Sequence, residues 1–271
     1  MPSQRNNLGD YNVNDSKNTR MEMDRSLQVL DIRKDEVMHL ARYQNGAKTI
    51  IDLAKQLGRP IRVLDIGCGE MNTARMLYHS FIEKKADVVS QYIGVDIDYQ
   101  MIEKANEKYG KAYAKCSAEF LQKDLTVDPH LDFEDGHFDL IICFEFLEHI
   151  KTQFAPAILK EAFRVLSKGG TALFSTPNSN GSNAVLPKDH VYEYSYQELM
   201  TMFPSAGFKV EDTVGVCINV SKIPKDELED YESEVAKVYA AFGNNTAFSS
   251  VALAPLFSPE YCKNVLYRLS K

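Results

Sequence analysis

An apolar run that ends in an acid and then a glycine pair constrains this chain more than any other feature. It reads Ile61-Arg62-Val63-Leu64-Asp65-Ile66-Gly67-Cys68-Gly69-Glu70. The branched apolar residues suit a buried strand, and the two glycines suit a tight loop that lets backbone approach a ligand closely. A helical pattern follows, so the unit is strand, turn and helix, with backbone N–H groups presented at the turn. Asp65 decides the ligand's charge: a carboxylate beside the turn repels a pyrophosphate and attracts a cation. The phosphate-cradling form also needs a third glycine, and Asn72 stands at that position.

Bulk properties narrow the class further. With 271 residues and 44% apolar content, the chain has material for one sizeable α/β domain with additions. It holds no apolar run of about 18 residues, so no membrane span is expected. Met1 to Arg20 is polar and lacks the apolar centre of a secretion signal, which together with the thiols points to a cytoplasmic protein. The cysteines, Cys68, Cys116, Cys143, Cys217 and Cys262, are scattered and form no CxxC pair. That pattern suits reduced thiols and argues against a cysteine-bound zinc. A net charge of −7 is a poor match to broad binding of a phosphate backbone, although recognition of one nucleotide or of an RNA end stays open.

Three regions are expected: a flexible polar arm over 1–22, a helical cap over 23–60, and the main domain over 61–271. Within the cap, Val37, Leu40, Ala41, Ala47, Ile50, Ile51, Ala54 and Leu57 recur at helical spacing. They predict an amphipathic helix from Asp35 to Leu57, stopped by Gly58-Arg59-Pro60. Strands are expected near 61–67, 92–97, 118–124, 138–144 and 170–176, with helices near 71–84, 99–115, 152–167 and 195–206. This alternation implies parallel strands with helices on both faces and a ligand at the strands' carboxyl ends. Beyond Gly207 the reading is a strand from Phe208 to Val220, a helix from Lys225 to Phe242 and a closing strand from Cys262 to Leu269. The Asn-, Ser- and Gly-rich stretch from Asn178 to Asp189 reads as a mobile loop over the site.

Over most of residues 35–271 the chain resembles the class I S-adenosylmethionine (SAM)-dependent methyltransferases. Val63 to Gly69 matches the family's first motif, and Tyr92-Ile93-Gly94-Val95-Asp96-Ile97-Asp98 its second acidic strand. Phe120 to Leu125 resembles the third-strand segment, Phe138 to Phe144 the fourth strand, and Leu166-Ser167-Lys168-Gly169-Gly170 the turn before the fifth. The resemblance implies a Rossmann-like seven-stranded sheet whose last strand is antiparallel. It also implies S-adenosylmethionine as cofactor, with Asp65, Gly67, Cys68 and Gly69 at the first turn. Asp96 would hold the ribose hydroxyls beside Ile97, and Asp124 would accept from the adenine amino group beside Leu125 and Cys143. A strand-end carboxylate can accept two hydrogen bonds from a vicinal diol, so residue type and role agree. Asp98 reads as a surface or capping residue instead.

A second constellation is Glu145-Phe146-Leu147-Glu148-His149, followed by His190 in Asp189-His190-Val191-Tyr192-Glu193-Tyr194. Spacings of three and four would let Glu145, Glu148 and His149 face one point. With His190 they would suit Mg²⁺ or Mn²⁺, which chelates adjacent hydroxyls and lowers the pKa of one. A metal-free role for His149 or His190 as general base and a structural role both remain open. The pattern resembles two branches, the ubiquinone-pathway O-methyltransferases and the small-RNA 3′-terminal 2′-O-methyltransferases. The first shares the Ser175-Thr176-Pro177-Asn178 segment and the second the Asp189 to Glu193 segment. The expected reaction is methyl transfer to oxygen on a small hydroxylated acceptor. Methylation of an RNA 3′ end is the alternative, and a silent SAM-binding partner subunit is a third reading. No (Asp/Asn)-Pro-Pro-(Tyr/Phe) motif follows the fourth strand, which disfavours DNA base methylation. His39, His79, His130 and His137 read as surface or loop residues. The region 225–260, with Tyr231, Tyr239, Phe242, Phe248 and Phe257, reads as core or as acceptor-specific pocket lining.

Overall fold

The computed structural model describes residues 34–69, 88–109, 116–179, 186–242 and 246–271. Its organising element is β4 (Phe138–Phe144), in which all seven residues are buried. A strand apolar on both faces belongs at a sheet's centre with cover on each side. It pairs in parallel with β1 (Ile61–Ile66) and with β5 (Leu166–Pro177). β2 (Val89–Asp96) joins β1, and β3 (Ser117–Gln122) joins β2, again in parallel. β7 (Asn264–Ser270) inserts antiparallel between β5 and β6 (Lys209–Gly215), giving the order β3-β2-β1-β4-β5-β7-β6. The seven-stranded sheet with an antiparallel last strand is the architecture expected from sequence. Strand order reverses between β1 and β4, so the crevice at their carboxyl ends is where this topology places a ligand.

Helix α1 (Lys34–Leu57) lies over β1 and β4. It buries Val37, Met38, Ala47, Ile50, Leu53 and Ala54 and leaves Leu40 and Leu57 exposed. α2 (Tyr99–Tyr109) begins at Asp98, whose side chain accepts from the Gln100 and Met101 N–H groups at 2.9 and 3.1 Å. Asp98 is therefore a cap, as its sequence suggests. α3 (Ala155–Val165) packs beside α4 (Tyr196–Ala206), which opens with a reciprocal Ser195–Glu198 capping box. α4 ends at Gly207 with φ 108°, where the Phe163 ring would lie 2.9 Å from an added Cβ.

Several boundaries depart from the sequence reading. The Leu166–Gly170 turn is the start of β5: Leu166 pairs with Phe138, then the register shifts before Leu140 meets Thr171. The strand after Gly207 stops at Gly215 rather than Val220, because Ile218 turns to bridge Cys262 and Val220–Lys222 forms a 3-10 turn. The helix expected over Lys225–Phe242 is broken at Tyr231 into α5 (Lys225–Asp230) and α6 (Glu232–Ala241). α7 (Thr246–Leu253) then packs on α1. The helix expected near 71–84 and the arm over 1–22 lie outside the described residues.

Apolar clusters cover both faces of the sheet. A third, smaller one gathers Ile218, Ile223, Leu253, Ala254, Phe257 and Cys262, with Tyr231 and Tyr239 against it. Phe257 is core, whereas Phe242 stays exposed and stacks on Phe248 at 5.8 Å.

Candidate active site

The turn after β1 is built around its glycines. Gly67 and Gly69 have φ of 68° and 46°, a region that disfavours side chains. A Cβ on Gly67 would sit 2.7 Å from Phe146 Cδ2, so the position has no room for one. The Gly67 and Cys68 N–H groups donate to the Val95 carbonyl at 2.8 and 3.1 Å, fastening the turn to β2. Asp96, ending β2, accepts from Gly69 N–H and Asp98 N–H, both at 2.9 Å. Its carboxylate thus stands at the rim of the turn. Asp65 lies beneath, buried, accepting from the Tyr92 phenol at 2.5 Å. Burial lifts its carboxyl from the ordinary 3.8 to about 7, with the Asp96 charge adding to the rise.

The other donor-side residues sit nearby in different roles. Asp124 accepts from Thr126 N–H at 2.9 Å and Thr126 Oγ1 at 2.7 Å, bonds that hold it below the usual carboxylate range. Ile97 is exposed, while Leu125, Cys68 and Cys143 are buried. Burial pushes both thiols far up, so neither is a thiolate nucleophile.

The acceptor side begins where β4 ends. Glu148 is fully buried at the short turn Leu147–His149. One carboxyl oxygen accepts from Thr176 Oγ1 at 3.2 Å, and Oε1 has no partner among the described residues. Burial, and next the charge of Glu145, hold its carboxyl well above the usual range. His149 Nδ1 lies 2.9 Å from the Asp189 carbonyl. A carbonyl only accepts, so Nδ1 is the donor in this bond, and in the neutral ring Nε2 carries the lone pair. His190 Nδ1 is likewise held by Glu193 at 2.7 Å, and the two imidazoles meet edge to face at 5.0 Å. The loop carrying His190 is pinned by Val191 and Tyr192 N–H groups donating to the Glu148 carbonyl. Ligand atoms of Glu148, His149 and His190 all lie within 4.8 Å of one another. An orphaned carboxylate oxygen beside two imidazoles, each oriented by a carbonyl or carboxylate, fits a divalent cation.

Glu145 does not join that trio. Its backbone has φ 51°, and its carboxylate turns to Ser175 Oγ at 2.9 Å and Asn264 Nδ2 at 2.8 Å. Arg42 Nη2 lies 3.6 Å away on the same carboxylate. Arg42 and Asn264 were not singled out from sequence, and Ser175 was read only as part of the Ser175–Asn178 segment. Arg42 left a signal: it interrupts the buried stripe of α1 four residues after Met38, where an arginine requires a partner.

A methyltransferase-domain family matches residues 38–213 of the chain. A probable S-adenosylmethionine-dependent methyltransferase of Mycolicibacterium smegmatis is 32% identical over 158 residues, covering 57% of this chain and 54% of that protein. A ubiquinone biosynthesis O-methyltransferase of Escherichia coli is 27% identical over 133 residues, covering 48% of this chain and 50% of that protein. The chain thus spans about half the length of these curated relatives. Among solved structures, the (4+2)-cyclase SpnF superposes with a TM-score of 0.53 at 15% identity, covering 83% of this chain and 80% of that one. That likeness carries the fold alone, since one fold hosts unrelated chemistries. Among the described residues, no helix is long and apolar enough to cross a membrane.

Proposed function

Since the chain belongs to the class I SAM-dependent methyltransferase family, we propose that it transfers a methyl group from S-adenosylmethionine to a hydroxyl oxygen of a small acceptor bearing adjacent hydroxyls. The observation that carries this reading is the trio Glu148, His149 and His190 at the end of β4, its ligand atoms within 4.8 Å. S-adenosylmethionine, when bound, supplies a methyl group on a positively charged sulfur. Asp96 would take its ribose diol, Asp124 its adenine amino group, and the Gly67–Gly69 turn would lie against it. Asp65 sets a buried carboxyl under that turn, held by the Tyr92 phenol. Arg42, buried with two nitrogens that have no partner among the described residues, would take the donor's carboxylate. Mg²⁺ or Mn²⁺, when bound, chelates a diol and lowers the pKa of one hydroxyl. The fixed Nδ1 protons of both histidines keep their Nε2 lone pairs available for that cation, and most rate enhancement comes from aligning hydroxyl and methyl.

A second reading, 2′-O-methylation at an RNA 3′ end, draws on the His190–Glu193 pair, which resembles the RNA branch in sequence. The net charge of −7 weighs against it. Labelled SAM offered with a catechol, with its mono-hydroxy analogue, and with a short RNA separates the readings. The catechol should be methylated, the mono-hydroxy analogue should not, and EDTA should abolish the reaction. Equal methylation of both phenols, unaffected by EDTA, would overturn the metal-dependent diol reading.

A further inference from the structure

Arg42 is 1% exposed, yet Nε and Nη1 of its guanidinium have no partner among the described residues. Its contacts among the described residues run through Nη2, 2.5 Å from His39 Nδ1 and 3.6 Å from Glu145 Oε2. A guanidinium offers a carboxylate two paired edges, Nε with Nη2 and Nη1 with Nη2. Both edges use Nη2. Nη2 has two N–H donors, one on each edge, so a carboxylate that binds Arg42 through two nitrogens leaves a single Nη2 N–H for Glu145 and His39 together.

Glu145 is the partner with more to lose. Its other contacts, Ser175 Oγ and Asn264 Nδ2, are neutral. Its φ of 51° is sparsely populated for a side-chain-bearing residue, and such strain gathers at switching sites. The fully buried Glu148 stands three residues on, in a trio that leaves coordination positions open for a further oxygen ligand.

We propose that Arg42 couples the donor and cation sites through Glu145. The donor's carboxylate takes Arg42, Glu145 loses its cationic partner, and its negative charge turns to the cation held by Glu148, His149 and His190. This rests on the reading above, in which donor and cation share the site. Coupling of this kind is reciprocal, so each ligand tightens the other.

Calorimetric titration with Mn²⁺ tests it on the protein alone, with saturating S-adenosylhomocysteine, and with saturating methylthioadenosine, which lacks the amino-acid end. S-adenosylhomocysteine should tighten Mn²⁺ binding by about tenfold, whereas methylthioadenosine should leave it unchanged. Arg42→Ala and Glu145→Gln should each abolish the effect while still binding Mn²⁺, and Glu145→Gln serves alone should Arg42→Ala not fold. Equal Mn²⁺ affinity with and without bound S-adenosylhomocysteine overturns the coupling and leaves the proposed reaction standing. Absence of Mn²⁺ binding in every state overturns both.

Discussion

At the scale of single residues, the clearest consequence belongs to Asp65. Burial raises its carboxyl from 3.8 to about 7, so the fold favours the protonated form. The stability it contributes is complete below the ordinary value and is lost as pH climbs through the folded one. Asn at position 65 can keep the Tyr92 hydrogen bond and cannot ionise. Between pH 5 and 8 the wild type should lose on the order of 2 kcal/mol more than Asp65→Asn, read from urea midpoints. Parallel losses in both proteins would refute this. Asp65, Gly67 and Gly69 were legible because an acid and a glycine pair declare themselves locally. Glu145 was not. The spacing of three and four assumes a helix, whereas Glu145 directly follows a strand with φ 51° and Leu147–His149 makes one short 3-10 turn. Helical facing does not apply there. The partner of Arg42 was hidden for another reason: Glu145 is brought to it by tertiary packing rather than by sequence proximity.

At the scale of elements, periodicity located the strands, since β4 is continuously apolar from Leu140 to Phe144 and alternation places the rest. The break at Tyr231 escaped because the helical pattern runs through it without Gly or Pro. Its cause is tertiary, with the Tyr231 ring packed edge-on to Phe257 at 5.1 Å. Caps, by contrast, are local. Ser195 Oγ accepts from Glu198 N–H at 3.3 Å while Glu198 Oε2 accepts from Ser195 N–H at 2.7 Å. Ser195→Ala removes one half of the box at the start of α4 and should cost about 1 kcal/mol in chemical denaturation. A change below the error of measurement would mean that α4 is held by packing alone.

For the whole molecule, the antiparallel run of the last strand followed from the resemblance to a family, whereas its place between β5 and β6 was not read from the sequence, because no local pattern dictates strand order. The third apolar cluster was equally unreadable, since its members come from 218–223 and 253–262 and meet only once β7 is seated. α5 and α6 bury no residue fully, and segments with few buried contacts open at low free energy. Hydrogen exchange should therefore be fastest in 225–241 and slowest in β1, β4 and β5. Equal protection across these elements would contradict that ranking. The hold on Glu145 has a related consequence. Asn264 reaches it across 119 positions of sequence, after Arg42 and Ser175 have been made. A ribosome must release the last strand before this carboxylate is gripped from all three sides. A half-synthesised molecule thus has its turn and its trio in sequence but lacks the full restraint on Glu145, and that restraint arrives with the final strand.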